Sequence, residues 1–341
     1  MGDINSKDNL LHHLRPAASS GVHNQLVESV LPTLIDSVAD IAKVLRTSHH
    51  VSRAGTANAF GDDQLNVDVL AEKAIRNAIA QCPAVVAASS EEDPVERRAQ
   101  KEETDPRAQA TAAADVPEEH YTVAFDPLDG SSVIAPNWTV GTIIGVWQGP
   151  TALHQSPASK QVAAVLGIYG PRTTAIIALR VPGCEPACLE IGINEHGSRD
   201  CEVLRPRVQL SDGPFKTRYF APANLRAAAE DEKYRNLIAH FIQNKYTLRY
   251  SGGLVPDVAH TLVKGHGIYI SPVTAASKAK LRRLFELYPV ALIIECAGGK
   301  AISPTDGSRI LDRPLEDLNE TAGLICGTIE DVNYVKKALV D

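Results

Sequence analysis

From Gln25 to Thr47 apolar residues recur every three or four positions, at Leu26, Val30, Leu34, Ile35, Val38, Ile41 and Leu45. That spacing predicts a helix with one face on a core. After a loop at Gly55 to Asp63, a second helical run passes through Val67, Leu70, Ala74, Ile75, Ala78 and Ile79, with Asp68 in its first turn. A helix N-terminus attracts acidic residues anyway, so Asp68 alone carries little chemical information. The run AVVAA then predicts a strand that delivers Ser89, Ser90, Glu91 and Glu92 to its end. Further strand-like runs at Tyr121 to Phe125, Thr139 to Trp147, Gln161 to Tyr169 and Thr173 to Leu179 predict a large sheet. A polar stretch from Asp200 to Gly213 marks a boundary. Beyond it, helices near Tyr234, Val255 and Lys280 alternate with strands near Thr247, Ile268 and Leu324, the pattern of a layered α/β domain. The division read from this pattern is a flexible N-terminus over 1–24, an N-terminal α/β domain over 25–205 and a C-terminal α/β/α domain over 206–341. Asp93 to Glu119, charged, rich in Ala and without period, reads as a mobile surface loop.

The chain's 341 residues favour about two domains. A net charge of −7 argues against a general nucleic-acid binder, so an anionic substrate needs metals and local basic groups. No apolar run reaches the roughly 18 residues that span a membrane, and the N-terminus has no secretory core, which reads as a cytoplasmic protein. The six cysteines are scattered without zinc spacing and read as free thiols. Sequons at Asn137 and Asn319 are expected to be silent, and Gly2 with Ser6 fits the myristoylation pattern only loosely.

The most informative stretch is Phe125 to Ser132, FDPLDGSS. Asp126 and Asp129 can converge on hard cations, and Gly130, Ser131 and Ser132 can turn successive backbone N–H groups toward a phosphate. An Asp-Gly turn after a strand would explain the dipeptide alone but not the whole string. Asp68, Glu91, Glu92 and Glu286 add acidic positions; gathered in one cleft, such a set holds two or three Mg²⁺, with Mn²⁺ as a substitute. Arg249, Tyr250, Lys280 and Arg282 are candidates for orienting the anion, and Ser251, Gly252 and Gly253 form a turn that lets backbone approach a ligand. There is no GxSxG, GxxxxGK[ST] or HExxH motif, and the histidine pairs at 12–13 and 49–50 lack ligand spacing.

With GDDQLNVDVLAEKAI, SSEE, FDPLDGSS, VGTIIGVW, RYSGGLVPDV and AKLRRLFELYPVALIIECAGG in order, the chain resembles the fructose-1,6-bisphosphatase and sedoheptulose-1,7-bisphosphatase family from about residue 25 onward. The resemblance implies a five-layer αβαβα sandwich and hydrolysis of a sugar 1-phosphate. It implies metal ligation by Glu91, Asp126, Asp129, Glu286 and the Leu128 carbonyl, and a mobile metal and attacking water at Glu92 and Asp68. Asp62 would sit on the flexible loop, Gly130, Ser131 and Arg282 at the scissile phosphate, and Asn224, Tyr250, Lys280 and Arg249 at the far phosphate. Arg249 would come from a neighbouring subunit, which implies a homodimer or homotetramer. QVAAVLGIYGPRTTAIIAL and TLRYSGGLVPD look closer to the sedoheptulose branch, with fructose 1,6-bisphosphate as the alternative substrate and an inositol or nucleotide phosphatase as a rival. A non-catalytic sugar-phosphate sensor is the alternative of another class. Ile270, Ser271 and Pro272 occupy the neighbourhood where the fructose enzymes carry a tyrosine, so far-phosphate contacts are expected to differ from theirs; His120 replaces the basic residue of the AMP site, and Cys82 is the only cysteine before Cys184. AMP inhibition and thioredoxin control of the plastid kind are therefore not expected.

Overall fold

The computed structural model describes residues 6–18, 23–57, 63–100, 119–275 and 277–341. At its centre an eight-stranded sheet runs Cys201–Arg205, Ala187–Ile193, Thr173–Leu179, Gln161–Tyr169, Val140–Gln148, Tyr121–Asp129, Val85–Ser90 and Arg97–Arg98. Neighbours are antiparallel except Val85–Ser90 and Tyr121–Asp129, which run parallel. Register explains the near-continuous apolar runs, because both faces are covered and successive side chains enter two different cores. The row Phe125, Ile144, Val165, Ile177 and Leu189 faces one core, while Ala124, Ala164, Ala178 and Cys188 face the other.

A second sheet of five strands runs Thr247–Leu248, Tyr219–Pro222, Ile268–Ser271, Leu324–Gly327 and Lys300–Ile302. Three cores separate five layers. The first lies between the large sheet and helices Ser6–Leu14, Leu31–Thr47 and Asn66–Ile79. The second packs helices Leu254–Lys264 and Tyr288–Cys296 between the two sheets, and Tyr288 through Ile294 are all buried there, as expected of a helix apolar on every side. The third packs helices Glu232–Gln243 and Ile329–Leu339 on the outside of the small sheet. The expected five-layer αβαβα sandwich is this arrangement.

Several local expectations need correction. The stretch over 1–24 is not loose throughout, since Ser6–Leu14 is helical with Leu10 and Leu14 fully buried. Three leucines followed by Pro16 make too short a period to stand out in sequence. Arg53–Ala57, read as loop from Gly55, pairs with Asp63–Leu65. The charged segment after Asp93 is ordered at both described ends: Arg97–Arg98 pairs with Ala87 and Ala88, and Glu119 accepts the Leu26 N–H at 2.9 Å. Residues 101–118 lie outside the described residues. Lys280 precedes its helix rather than lying on it. Leu281–Arg282 pairs with Thr321–Ala322, and only then does the chain enter a π-helical turn, Arg283–Leu287, that continues into Tyr288–Cys296.

Candidate active site

Asp126 and Asp129 are three residues apart, so in a regular strand they would point to opposite faces. They do not, because the ladder skips a residue between them: Asp126 pairs with Ile143 and Asp129 with Gly141. The bulge falls at Pro127 and Leu128, where the proline has no N–H to give to the ladder. Thr142 Oγ1 donates to the Pro127 carbonyl at 2.8 Å and lies 2.7 Å from the Tyr169 hydroxyl, which pins the bulge from the neighbouring strands. Leu128 is buried within it and donates its N–H to Asp126 Oδ1 at 2.9 Å. Both aspartates thus face the middle layer.

Two elements of that layer meet them. The N-terminus of helix Leu254–Lys264 donates to Asp129, Leu254 N–H to Oδ1 at 3.1 Å and Val255 N–H to Oδ2 at 2.7 Å. This is the positive end of a helix dipole set on a carboxylate. The close approach depends on small residues: Gly130 stands at φ +89°, and a Cβ on Gly253 would come within 3.3 Å of Asp129 Oδ2. From the other side, the π-helical turn brings in Glu286, which accepts the Arg282 backbone N–H. Carboxylate oxygens of Asp126, Asp129 and Glu286 lie within 4.8 Å of one another, and all three residues are buried. Glu91 joins them because its N–H bonds the Phe125 carbonyl at 3.0 Å, one residue before Asp126, and its Oε1 is 3.5 Å from Arg282 Nε.

A second acidic pair sits beside the first. Asp68 Oδ2 accepts the Leu65 N–H at 2.9 Å and so caps its own helix, as its position in the first turn suggests. Its other oxygen, Oδ1, is buried with no hydrogen-bond partner among the described residues. Glu92 accepts from the Gln64 amide, and its charge acts on Asp68.

Burial pushes the Asp68 carboxyl up to about 6, against the Leu65 hydrogen bond and reinforced by Glu92. Burial does the same to Asp129, up to about 6, with the Val255 and Leu254 N–H groups opposing. Asp126 and Glu286 are held well above the ordinary carboxylate range, first by burial and then by the charge of Glu91 and the other carboxylates. So many acidic groups cannot all ionise without a countercharge. Hard oxygen donors, an unpartnered buried carboxylate oxygen and mutual repulsion together fit divalent cations of the Mg²⁺ type.

The other predicted residues fall into two groups. Gly130 opens the turn Ser131–Val133 directly after Asp129, with Ser132 exposed. Asn224 donates its side-chain amide to Ser277, and its backbone meets the Tyr250 hydroxyl. Arg249 and Lys280 are exposed. Arg249 does not turn toward the carboxylates. Its guanidinium lies 5.8 Å from the Tyr219 ring centroid and donates to the Leu248 carbonyl at 2.8 Å. With Tyr250, Trp138, Arg172 and His260 it lines a cleft of about 1010 Å³ on which none of the clustered carboxylates opens. Gly252, at φ +102°, sits in the turn between that cleft and the Asp129 helix. Asp62 lies outside the described residues. Sequence reasoning did not single out Gln64, nor the role of Leu254 and Val255 as donors to Asp129. The GGLVPD string, Gly before a helix start, is the signal that marks the latter.

No helix among the described residues is long and apolar enough to cross a membrane. Residues 17–195 match the family described as fructose-1-6-bisphosphatase, N-terminal domain, and 214–340 match its C-terminal domain. A chloroplastic sedoheptulose-1,7-bisphosphatase of Triticum aestivum is 37% identical over 309 residues, covering 89% of this chain and 70% of that sequence. A class 1 fructose-1,6-bisphosphatase of Geobacter sulfurreducens is 35% identical over 319 residues, covering 91% of each. A crystal structure described as a sedoheptulose-1,7 bisphosphatase from Toxoplasma gondii superposes with a TM-score of 0.81 at 30% identity, over 97% of this chain and 98% of that one. A Leishmania major fructose-1,6-bisphosphatase shares the fold at a TM-score of 0.80 and 22% identity, over 99% of both chains. The chain belongs to the fructose-1,6-bisphosphatase family of sugar bisphosphatases, which are phosphoric monoester hydrolases.

Proposed function

We propose that the protein removes the 1-phosphate of sedoheptulose 1,7-bisphosphate, giving sedoheptulose 7-phosphate and phosphate, with Mg²⁺ as its metal. The observation that carries the chemistry is the buried triad of Asp126, Asp129 and Glu286, with carboxylate oxygens within 4.8 Å of one another beside Glu91 and Arg282. Mg²⁺ bound by these groups, Glu92, Asp68 and the Leu128 carbonyl would neutralise the phosphoryl oxygens and polarise phosphorus toward attack. The rest falls to the chain's own groups. Backbone N–H groups at Gly130 and Ser131, with Arg282, orient the scissile phosphate. Asp68, whose carboxyl is pushed up to about 6 by burial, and Glu92 accept the proton of the attacking water. Asn224, Tyr250 and Lys280 hold the far phosphate and sugar.

Arg249 completes that far site from a neighbouring subunit in a homodimer or homotetramer. Its exposed guanidinium, set over the Tyr219 ring and bonded to the Leu248 carbonyl with no contact to its own carboxylates among the described residues, supports this reading. The wheat relative supports the seven-carbon substrate, and the Geobacter relative, matched over 91% of its length, favours fructose 1,6-bisphosphate as the second reading. Phosphate release from the two sugars side by side, with Mg²⁺, EDTA or lithium, decides between them by kcat/KM. Metal-dependent turnover favouring the seven-carbon sugar is expected. A preference for fructose moves the substrate and keeps the chemistry, whereas an Asp126→Asn variant with full turnover would sink both.

A further inference from the structure

One helical turn after Asp68, about 6 Å along the axis, stands Glu72, with a side chain only 16% exposed. Its Oε1 accepts from Ser90 Oγ at 2.9 Å and from Arg76 Nε at 2.5 Å. Ser90 Oγ in turn accepts the Asp93 N–H at 3.0 Å, and Arg76 reaches the Asp93 carboxylate at 3.6 Å while lying 5.7 Å from the centroid of the Phe125 ring. Ser90 ends the strand Val85–Ser90, so the residues spanned by this network are Glu91 and Glu92. One side of the clasp is the helix that carries Asp68. The other is the turn that carries the paired glutamates.

Packing alone does not call for a carboxylate at this place. Val67, Ala71, Ile75 and Ile79 bury the same helix in the core, and Glu72 Oε2 is buried without a partner among the described residues. Burying a carboxylate costs stability unless it is fully paired, and a packed apolar side chain often does as well or better. The cost is offset if the bond to Ser90 fixes a geometry that an apolar contact could not hold, because a hydrogen bond sets a distance and a direction.

We propose that Glu72 is a positioning residue that, through Ser90 and Arg76, sets the separation between Asp68 and the Glu91–Glu92 turn and so the fit of that carboxylate set to divalent metal. The inference rests on the reading of Asp68, Glu91 and Glu92 as metal ligands given above. The test titrates Mn²⁺ into wild type, Glu72→Ala, Ser90→Ala and Glu72→Gln, following free Mn²⁺ by electron paramagnetic resonance, together with Mg²⁺ half-activation and the thermal midpoint. Glu72→Ala is expected to weaken Mn²⁺ binding and raise the Mg²⁺ half-activation concentration about tenfold, the scale found when groups behind metal ligands are removed. KM for the sugar bisphosphate at saturating Mg²⁺ should move by less than about twofold. Ser90→Ala should act in the same direction, with the double variant losing less than the sum of the two single losses, since both break the Glu72–Ser90 bond. Glu72→Gln, whose amide oxygen can still accept from Ser90, should recover most of the affinity. A lower thermal midpoint in Glu72→Ala with Mn²⁺ affinity and Mg²⁺ half-activation unchanged would overturn the proposal, leaving Glu72 a purely structural residue. If Glu72→Ala does not fold, Ser90→Ala carries the same test. Asp126→Asn measured in parallel separates the two readings: full Mn²⁺ binding and turnover there means the metal site is misassigned, whereas loss there with Glu72→Ala unaffected removes only the positioning role.

Discussion

Asp257 shows at the scale of one residue what the site costs the fold. It is 4% exposed, its Oδ1 accepts the Ser251 N–H at 2.7 Å, and its Oδ2 is buried without a partner among the described residues. Burial pushes its carboxyl up to about 6, against the bonds from Ser251 and Gly252, and the nearby Asp129 charge adds to the rise. In the unfolded chain the same group titrates near 3.8. Between these values the native state holds more protons than the unfolded state, so stability falls as pH rises through this window. Across the whole window the loss amounts to roughly 2 to 3 kcal/mol. Asp257→Asn keeps an acceptor for Ser251 and removes the titration. In EDTA, its denaturation free energy is expected to gain on wild type by on the order of 2 kcal/mol between about pH 4.5 and about pH 7. Urea melts at several pH values measure the difference, and a difference constant with pH would mean that Asp257 ionises normally in the fold.

At the scale of elements, the acidic set was legible in sequence because each member sits in a short string with its own logic: SSEE at a strand end, FDPLDGSS at a chain reversal, FELYP at a helix start. The strands were legible too, since both faces of the large sheet are covered and their apolar runs are unbroken. The phase change at Pro127 and Leu128 was not legible, because a bulge is a property of the pairing of two strands and neither strand declares it alone. Nor was the strand Arg97–Arg98, two charged residues held at an edge by their neighbour. Lys280 was misplaced for a similar reason: AKLRRLFEL continues a helical period backward through residues that pair as a strand with Thr321–Ala322.

The bulge and the helix Leu254–Lys264 work together through Gly141, the residue paired with Asp129. A methyl group at Gly141 would overlap the side chain of Val255, whose N–H holds Asp129 Oδ2. Gly141→Ala is therefore expected to destabilise by about 1 to 3 kcal/mol through overpacking and to lower turnover as the helix N-terminus shifts off Asp129. Denaturation midpoints and phosphate-release rates on the same preparation check this. Lower stability with unchanged kcat and Mg²⁺ dependence would show that the helix can move without disturbing the carboxylate.

At the scale of the whole molecule, the placement of Arg249 separates two arrangements of the active centre. If the arginine serves its own subunit, every complete site lies within one chain, and two chains each lacking a different group can never rebuild one. If it serves a neighbour, a mixed dimer of Arg249→Ala and Asp126→Asn chains holds one site with both defects and one with neither, because the Arg249→Ala chain supplies intact carboxylates and the Asp126→Asn chain supplies the arginine. Random pairing makes half the dimers mixed, so refolding equal amounts together should restore about a quarter of wild-type turnover in a closed two-fold assembly. Each variant refolded alone should stay near zero. Sedimentation velocity on the same samples reads the assembly independently of activity. Recovery near a quarter, from a species at least twice the chain's mass, is the expected outcome; no recovery from a dimer would place Arg249 in its own subunit's site or outside the chemistry, and a monomer with full wild-type activity would exclude the shared site outright.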